Sequence, residues 1–236
     1  MIRTLLRNMS IFNNWQTIIT TFLLEPFFAV LFFYLISPHG NLGNSSRLIL
    51  TAVSLTAIFK IVSLYSGIFV AAQMIDILKM IFIDIKGFLK FNFCALLISF
   101  FVAAVQSCVL LVIFAFLKFD IQLKLGQIIL ILVLLIIFSS LFAMISSLYS
   151  LQANNPYFYS NLLLGLLPII SATIVPLSAY PKWLALISKI FPFWIIQDLI
   201  WGDSFSHVGL MVGYVFFYSG LLLLIIFVQR KKILLS

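Results

Sequence analysis

The chain has 236 residues, 64% of them hydrophobic and 8% charged, with a formal net charge of +8. Soluble domains carry about 25% charged residues, so this composition excludes a soluble fold and describes an integral membrane protein. Spans of about 20 residues each use most of the chain and leave no room for an added soluble domain. The basic residues sit in short flanks of apolar runs, where charge sets orientation, and nucleic acid is excluded as a partner.

Residues 1–15 are amphipathic: Ile2, Leu5, Leu6, Met9 and Phe12 follow helical spacing opposite Arg3, Arg7, Ser10 and Asn14. Such a helix lies in the membrane interface. The first span is expected over 17–37 and stops at Pro38-His39-Gly40. No small-residue cleavage site follows it, so no cleavable leader is expected. A polar link, 41–46, leads to the second span, 47–71. Charge returns over 72–90, where Asp76, Lys79, Asp84, Lys86 and Lys90 fall in one arc and Ile75, Leu78, Phe82, Ile85 and Leu89 lie opposite. This is an amphipathic segment at a membrane surface, with a break expected near Gly87.

The third span, 91–117, carries no charge, and 118–127 is a polar turn before the fourth span, 128–151. Asn155-Pro156 ends a turn that begins at Gln152, because a residue before proline leaves the helical region. The fifth span is expected over 157–175. Residues 176–205 then break the pattern: Pro176, Pro181 and Pro192 cut an apolar stretch that also carries Lys182, Lys189, Asp198 and Asp203. Each uninterrupted piece makes about 15 Å of helix, half of a bilayer core.

Two half-length helices meeting at Pro192 fit a re-entrant hairpin, with a surface anchor for the last span as the alternative. Lys182, Ser188 and Lys189 line one side of its first half, and Trp183, Leu186, Ile187 and Ile190 line the rest. Trp194, Asp198 and Trp201 share a face of its second half. The sixth span, 207–228, ends in a basic stop, Gln229-Arg-Lys-Lys232.

Six spans place both termini on one side. Arg3, Arg7, Lys79, Lys86, Lys90, Arg230, Lys231 and Lys232 then flank one face, against Arg47, Lys118, Lys124, Lys182 and Lys189 on the other. The richer face is cytoplasmic. The fold class expected is therefore an all-α membrane protein: six transmembrane helices, an N-terminal interfacial helix and an outer re-entrant helical hairpin before the last span. It forms one permease-like domain over 1–236, multi-pass in a cell membrane of bacterial type, with membrane lipid as a necessary partner. No internal repeat marks the duplicated halves of a secondary transporter.

The chemistry of an enzyme is not encoded. His39 and His207 sit in no HExxH pattern, and neither GxSxG nor a phosphate-binding GxxxxGK[ST] occurs. Cys94 and Cys108 fall about 21 Å apart along one expected helix, too far to pair within it, and read as packing residues. No catalytic residue, metal ligand or cofactor site is expected on this chain. Two ionisable residues lie inside spans, at similar depth: Glu25 in the first and Lys60 in the second. Such residues face the protein interior or a path. They fit a structural ion pair, with a proton or ion relay and a substrate contact as alternatives, and Pro26 kinks the first span.

The order of elements resembles the type-two ABC exporter permeases, the membrane subunits of ATP-driven exporters. The sharpest local match is Ile174-Val-Pro-Leu-Ser-Ala-Tyr-Pro-Lys-Trp-Leu followed by Ile187-Ser-Lys-Ile-Phe-Pro192, a proline–proline–Trp-Leu and aromatic-Pro spacing. The resemblance implies a second permease copy or homologous permease, and two separate ATPase subunits that hold the ATP and magnesium. It implies that 1–15 is a connecting helix and that 72–90 contains the coupling helix, docking through Asp76, Lys79, Met80, Ile83, Asp84 and Lys86. The Gln152–Pro156 turn would be a smaller contact. It implies an outer gate formed by Pro181, Trp183, Leu186, Phe191, Pro192 and Trp194.

With 26 phenylalanines in the chain, any cavity would be apolar, which favours an amphipathic or hydrophobic cargo such as a peptide, drug or lipid. An ion-gradient-driven transporter or channel using Glu25 and Lys60 is the alternative function. A structural assembly factor is a third.

Overall fold

A computed structural model describes residues 14–36, 45–116, 125–151, 153–171, 177, 180–201 and 208–235. Among them every regular element is helical. The expected interfacial helix over 1–15 lies outside the described residues except for its last two. Helix α1 (Trp15–Ile19) starts where the Asn14 side chain accepts a hydrogen bond from the Gln16 amide, passes through a π-helical turn (Thr20–Leu24), and continues as α2 (Glu25–Ile36). Helix α3 (Ser45–Met74) follows, then the seven-residue α4 (Ile77–Ile83), α5 (Ile85–Phe116) and α6 (Leu125–Ser150). The chain ends with α7 (Phe158–Ile170), α8 (Lys182–Ile190), α9 (Phe193–Trp201) and α10 (Val208–Leu235).

Five helices are long and apolar enough to cross a membrane, and the bent α8–α9 pair raises the number to six if it is one span. The fifth expected span, 157–175, is instead a 13-residue helix, α7, about 20 Å long. Pro168 lacks a donor, and Ser171 caps the end with its amide on the Leu167 carbonyl.

Helix α3 is the hub. It packs on α2, α5 and α6, and 78% of its spanning window is buried inside the protein. Lipid tails are as apolar as leucine, so burial alone does not hold such helices together; packing and hydrogen bonds between helices do. Tyr65, Phe69 and Phe91 stack in sequence between α3 and α5, and the Tyr65 hydroxyl donates to the Asn92 side-chain carbonyl. Asn92 in turn donates to the Phe88 carbonyl at 2.7 Å. Between α3 and α6 the Ser66 and Ser147 hydroxyls meet at 3.1 Å. Most other buried hydroxyls, among them Ser99, Ser107, Ser139 and Ser150, bond the carbonyl one turn back, which costs the helix little and satisfies them without a partner helix.

Candidate functional site: two interrupted segments and a mid-span charge

The first interruption joins α3 to α5. Asp76 adopts a left-handed conformation (φ 54°) and its amide donates to the Gln73 carbonyl, so the chain leaves α3 and turns sharply. Aspartate tolerates this region better than most residues. Eight residues later Asp84 starts α5: one carboxylate oxygen accepts from the Lys86 amide and the other from the Gly87 amide, both at 3.0 Å. The break therefore falls at Asp84 rather than at Gly87. Gly87 matters for a different reason: a Cβ there would meet the Asp84 carboxylate at 3.0 Å, so the cap would have to shift by a few tenths of an ångström.

Helix α4 thus stands between two turns made by acidic residues. Leu78, Ile81 and Phe82 hold it to the core, and Phe82 packs on Phe88 at 4.9 Å between ring centres. Arg230 of α10 donates to the Ile83 carbonyl at 3.3 Å, closing the far end of the short helix. Met80 and Ile83 face outward, 74% and 62% exposed. Lys79 belongs to α4, but its side chain lies outside the described residues. Asp76, Asp84 and Lys86 are exposed. Of the expected docking residues, Met80 and Ile83 are thus exposed on α4, Asp76 and Asp84 stand at its two ends with structural duties as well, and Lys86 is exposed in the first turn of α5.

The second interruption is the hairpin. Helices α8 and α9 bend by 102° at Phe191-Pro192. Pro181 occupies the position before α8, and Pro192 is buried at the bend. The last carbonyls of α8 have no helical partners, and in a membrane each must find a donor. Tyr214 of α10 donates its hydroxyl to the Lys189 carbonyl, and Tyr218 donates to the Ile190 carbonyl at 2.8 Å. These tyrosines lie about 9 and 15 Å below the start of α10, so the bend descends to that depth.

Phe142 of α6 fixes the bend from the other side. Its ring lies 5.7 Å from Phe191, 5.1 Å from Phe193 and 4.7 Å from Tyr218. Phe193, Ile195, Ile196, Leu199 and Ile200 are all buried, so α9 is a core element. Helix α8 is reversed in its wetting. Ser188 is its buried residue, while Trp183, Leu186, Ile187 and Ile190 face outward. An apolar face turned away from the protein meets lipid or another chain rather than water. Of the expected gate residues, Trp183 and Leu186 are thus peripheral, Phe191 and Trp194 half-buried, and Pro192 central. At the neighbouring helix end Tyr180 donates to the Ile169 carbonyl at 2.6 Å. Burial holds the Tyr180 hydroxyl above the usual phenol range, which keeps it a donor.

The mid-span charges are arranged by a local defect. In an α-helix the Thr21 carbonyl would accept from the Glu25 amide. The π-helical turn sends that amide to the Thr20 carbonyl instead, and the next residue, Pro26, has no N–H to offer. The orphaned Thr21 carbonyl accepts from the Lys60 ammonium at 2.8 Å, which also lies 4.6 Å from the centre of the Phe22 ring. Glu25 and Lys60 interact electrostatically, but the Glu25 side chain is exposed and no hydrogen bond to it is found among the described residues.

Sequence reasoning reached Glu25, Lys60 and the hairpin prolines. It missed Phe142, Tyr214, Tyr218 and Arg230. Two tyrosines one turn apart inside an apolar span were the available signal, since a buried hydroxyl needs a partner. No group of three metal-ligating side chains occurs among the described residues. No family model, curated protein or solved structure matches the chain. The protein is a multi-pass, all-helical membrane protein with five or six candidate spanning helices.

Proposed function

We propose that the chain is the permease subunit of an ATP-driven exporter, paired with a second permease and with separate ATPase subunits that carry ATP and magnesium. The observation that carries this reading is the braced surface of α4. A seven-residue helix is held by Asp84, Arg230 and Phe82, yet presents two large apolar side chains, Met80 and Ile83, away from the protein. A rigid apolar knob beside charged residues is the surface a separate, water-soluble subunit would grip. The hairpin beside the first half of α10, two nine-residue helices bent by 102°, supports the same reading. Both termini are then cytoplasmic, in a cell membrane, and the cargo is amphipathic or hydrophobic: a peptide, a drug or a lipid-like molecule.

The test is purification of the full chain from its native membranes, followed by ATP hydrolysis and transport in proteoliposomes. A bound ATPase is expected, with coupling lost in the double variant Met80→Glu/Ile83→Glu while membrane insertion is unchanged. A second reading, a transporter driven by an ion gradient, is favoured by one observation, the exposed mid-span carboxylate of Glu25. Transport that collapses with an ionophore and ignores ATP depletion would establish it in place of the first.

A further inference from the structure

Glu25 lies about 15 Å along the first helix from Trp15, near the middle of a span. Only 11% of that span, Trp15–Phe32, is buried inside the protein. An ionised side chain at such depth is costly unless it faces protein, water or an opposite charge. Lys60 is the nearby cation, yet its ammonium is turned inward, onto the orphaned Thr21 carbonyl and the Phe22 ring. The carboxylate therefore remains on the outer face. Phe28 and Phe32, both 59% exposed, lie three and seven residues further on and share that face. A phenyl ring presents its negative face to a cation, and a carboxylate supplies the full charge.

The geometry points to a binding site for hydrophobic cations on this face, with Glu25 as the counter-charge and Phe28 as the ring platform. The inference rests on the exporter reading and names the charge of its amphipathic cargo. It excludes anions of the same size and shape, which would find the carboxylate and, among the described residues, no free cation on the face.

The full chain, in lipid nanodiscs and without any ATPase, is titrated with tetraphenylphosphonium by equilibrium dialysis against empty nanodiscs. Saturable binding is expected, and none for tetraphenylborate titrated in a separate dialysis. Glu25→Gln should weaken it about tenfold or more, equivalent to about 1.4 kcal/mol per factor of ten, Glu25→Asp should recover part of it, and Phe28→Ala should weaken it by a smaller factor. Binding that is absent in the parent, matched by saturable tetraphenylborate binding in its own titration, or untouched by Glu25→Gln overturns the site. If Glu25→Gln fails to give a monodisperse protein, the parent's charge selectivity and Phe28→Ala decide the matter. Because no ATPase is present, cation binding can survive a failure of the exporter reading, and ATP coupling can survive a failure of this site.

Discussion

The two interrupted segments solve the same problem with opposite chemistry. At α4 the chain breaks where charge is abundant, and the freed backbone groups are met by ionised side chains, Asp84 and Arg230. At the α8–α9 bend it breaks in apolar surroundings, and the freed carbonyls are met by neutral tyrosine hydroxyls under a cover of rings. The side chains in each case match the medium. An aspartate cap is inexpensive where water reaches its spare lone pairs, whereas in hydrocarbon the same carboxylate would carry a desolvation cost that a phenol avoids. The bend is consequently held by rings and phenol hydroxyls, and α4 by charged groups bonded to backbone at its ends together with its apolar contacts to the core.

The largest effect that would break this contrast is expected at Phe142. Its ring touches both arms of the bend and Tyr218, so Phe142→Ala leaves a cavity under the apex. Because lipid competes with the protein for apolar surface, the loss is mostly cavity and contact energy, about 2–3 kcal/mol, at the low end for such substitutions. Thermal unfolding of the purified chain should register it, with Tyr218→Phe in the same assay costing about 1–2 kcal/mol for a carbonyl left bare. If both variants unfold like the parent, the hairpin is held from elsewhere.

Asp84 ranks below these. Removing its two cap bonds by Asp84→Ala should cost about 1 kcal/mol, and Asp84→Asn should recover part of it, since its one carbonyl oxygen can accept from one of the two amides. Gly87→Ala should give a similar loss by pushing the carboxylate off its partners. The measurement is again thermal unfolding, now at low and high salt, and a cap this exposed should keep most of its value, since its bonds go to backbone amides. Loss of ATPase coupling with Asp84→Ala, but not with Asp84→Asn, would show that the carboxylate acts through α4's geometry rather than as a docking charge.

How far the sequence disclosed these features follows from the range of the forces involved. Helical periodicity, span length and proline placement are local properties, and they located the spans, the inner segment and the bend at Pro192. The expected break near Gly87 was three residues late, because glycine marks the donor side of a cap whose acceptor, Asp84, is the actual terminus. The 13-residue length of α7 was concealed by apolar residues continuing past its capped end. Phe142, Tyr218 and Arg230 could not be assigned, since each acts on a segment far away in the chain. The fate of Lys60 turned on a hydrogen-bond register: one extra residue in a turn, followed by a proline, left a carbonyl without a donor.

The smallest expected effect concerns Arg230, and it separates two roles that the sequence merges. As one of a basic run ending the last span, Arg230 sets orientation, a task Lys231 and Lys232 can share. As the donor to the Ile83 carbonyl it has no such understudy at that carbonyl. Arg230→Gln should therefore leave insertion and global unfolding nearly unchanged, within about 0.5 kcal/mol. Local opening of α4 is a different quantity, governed by the few contacts that hold a short helix to the bundle. Amide hydrogen exchange over residues 77–84 should rise about two- to fivefold in the variant, while exchange across the α8–α9 bend stays as it was. A rise at both segments would mean that the two breaks are coupled through α10. An unchanged rate at α4 would leave Arg230 as an orientation signal and no more.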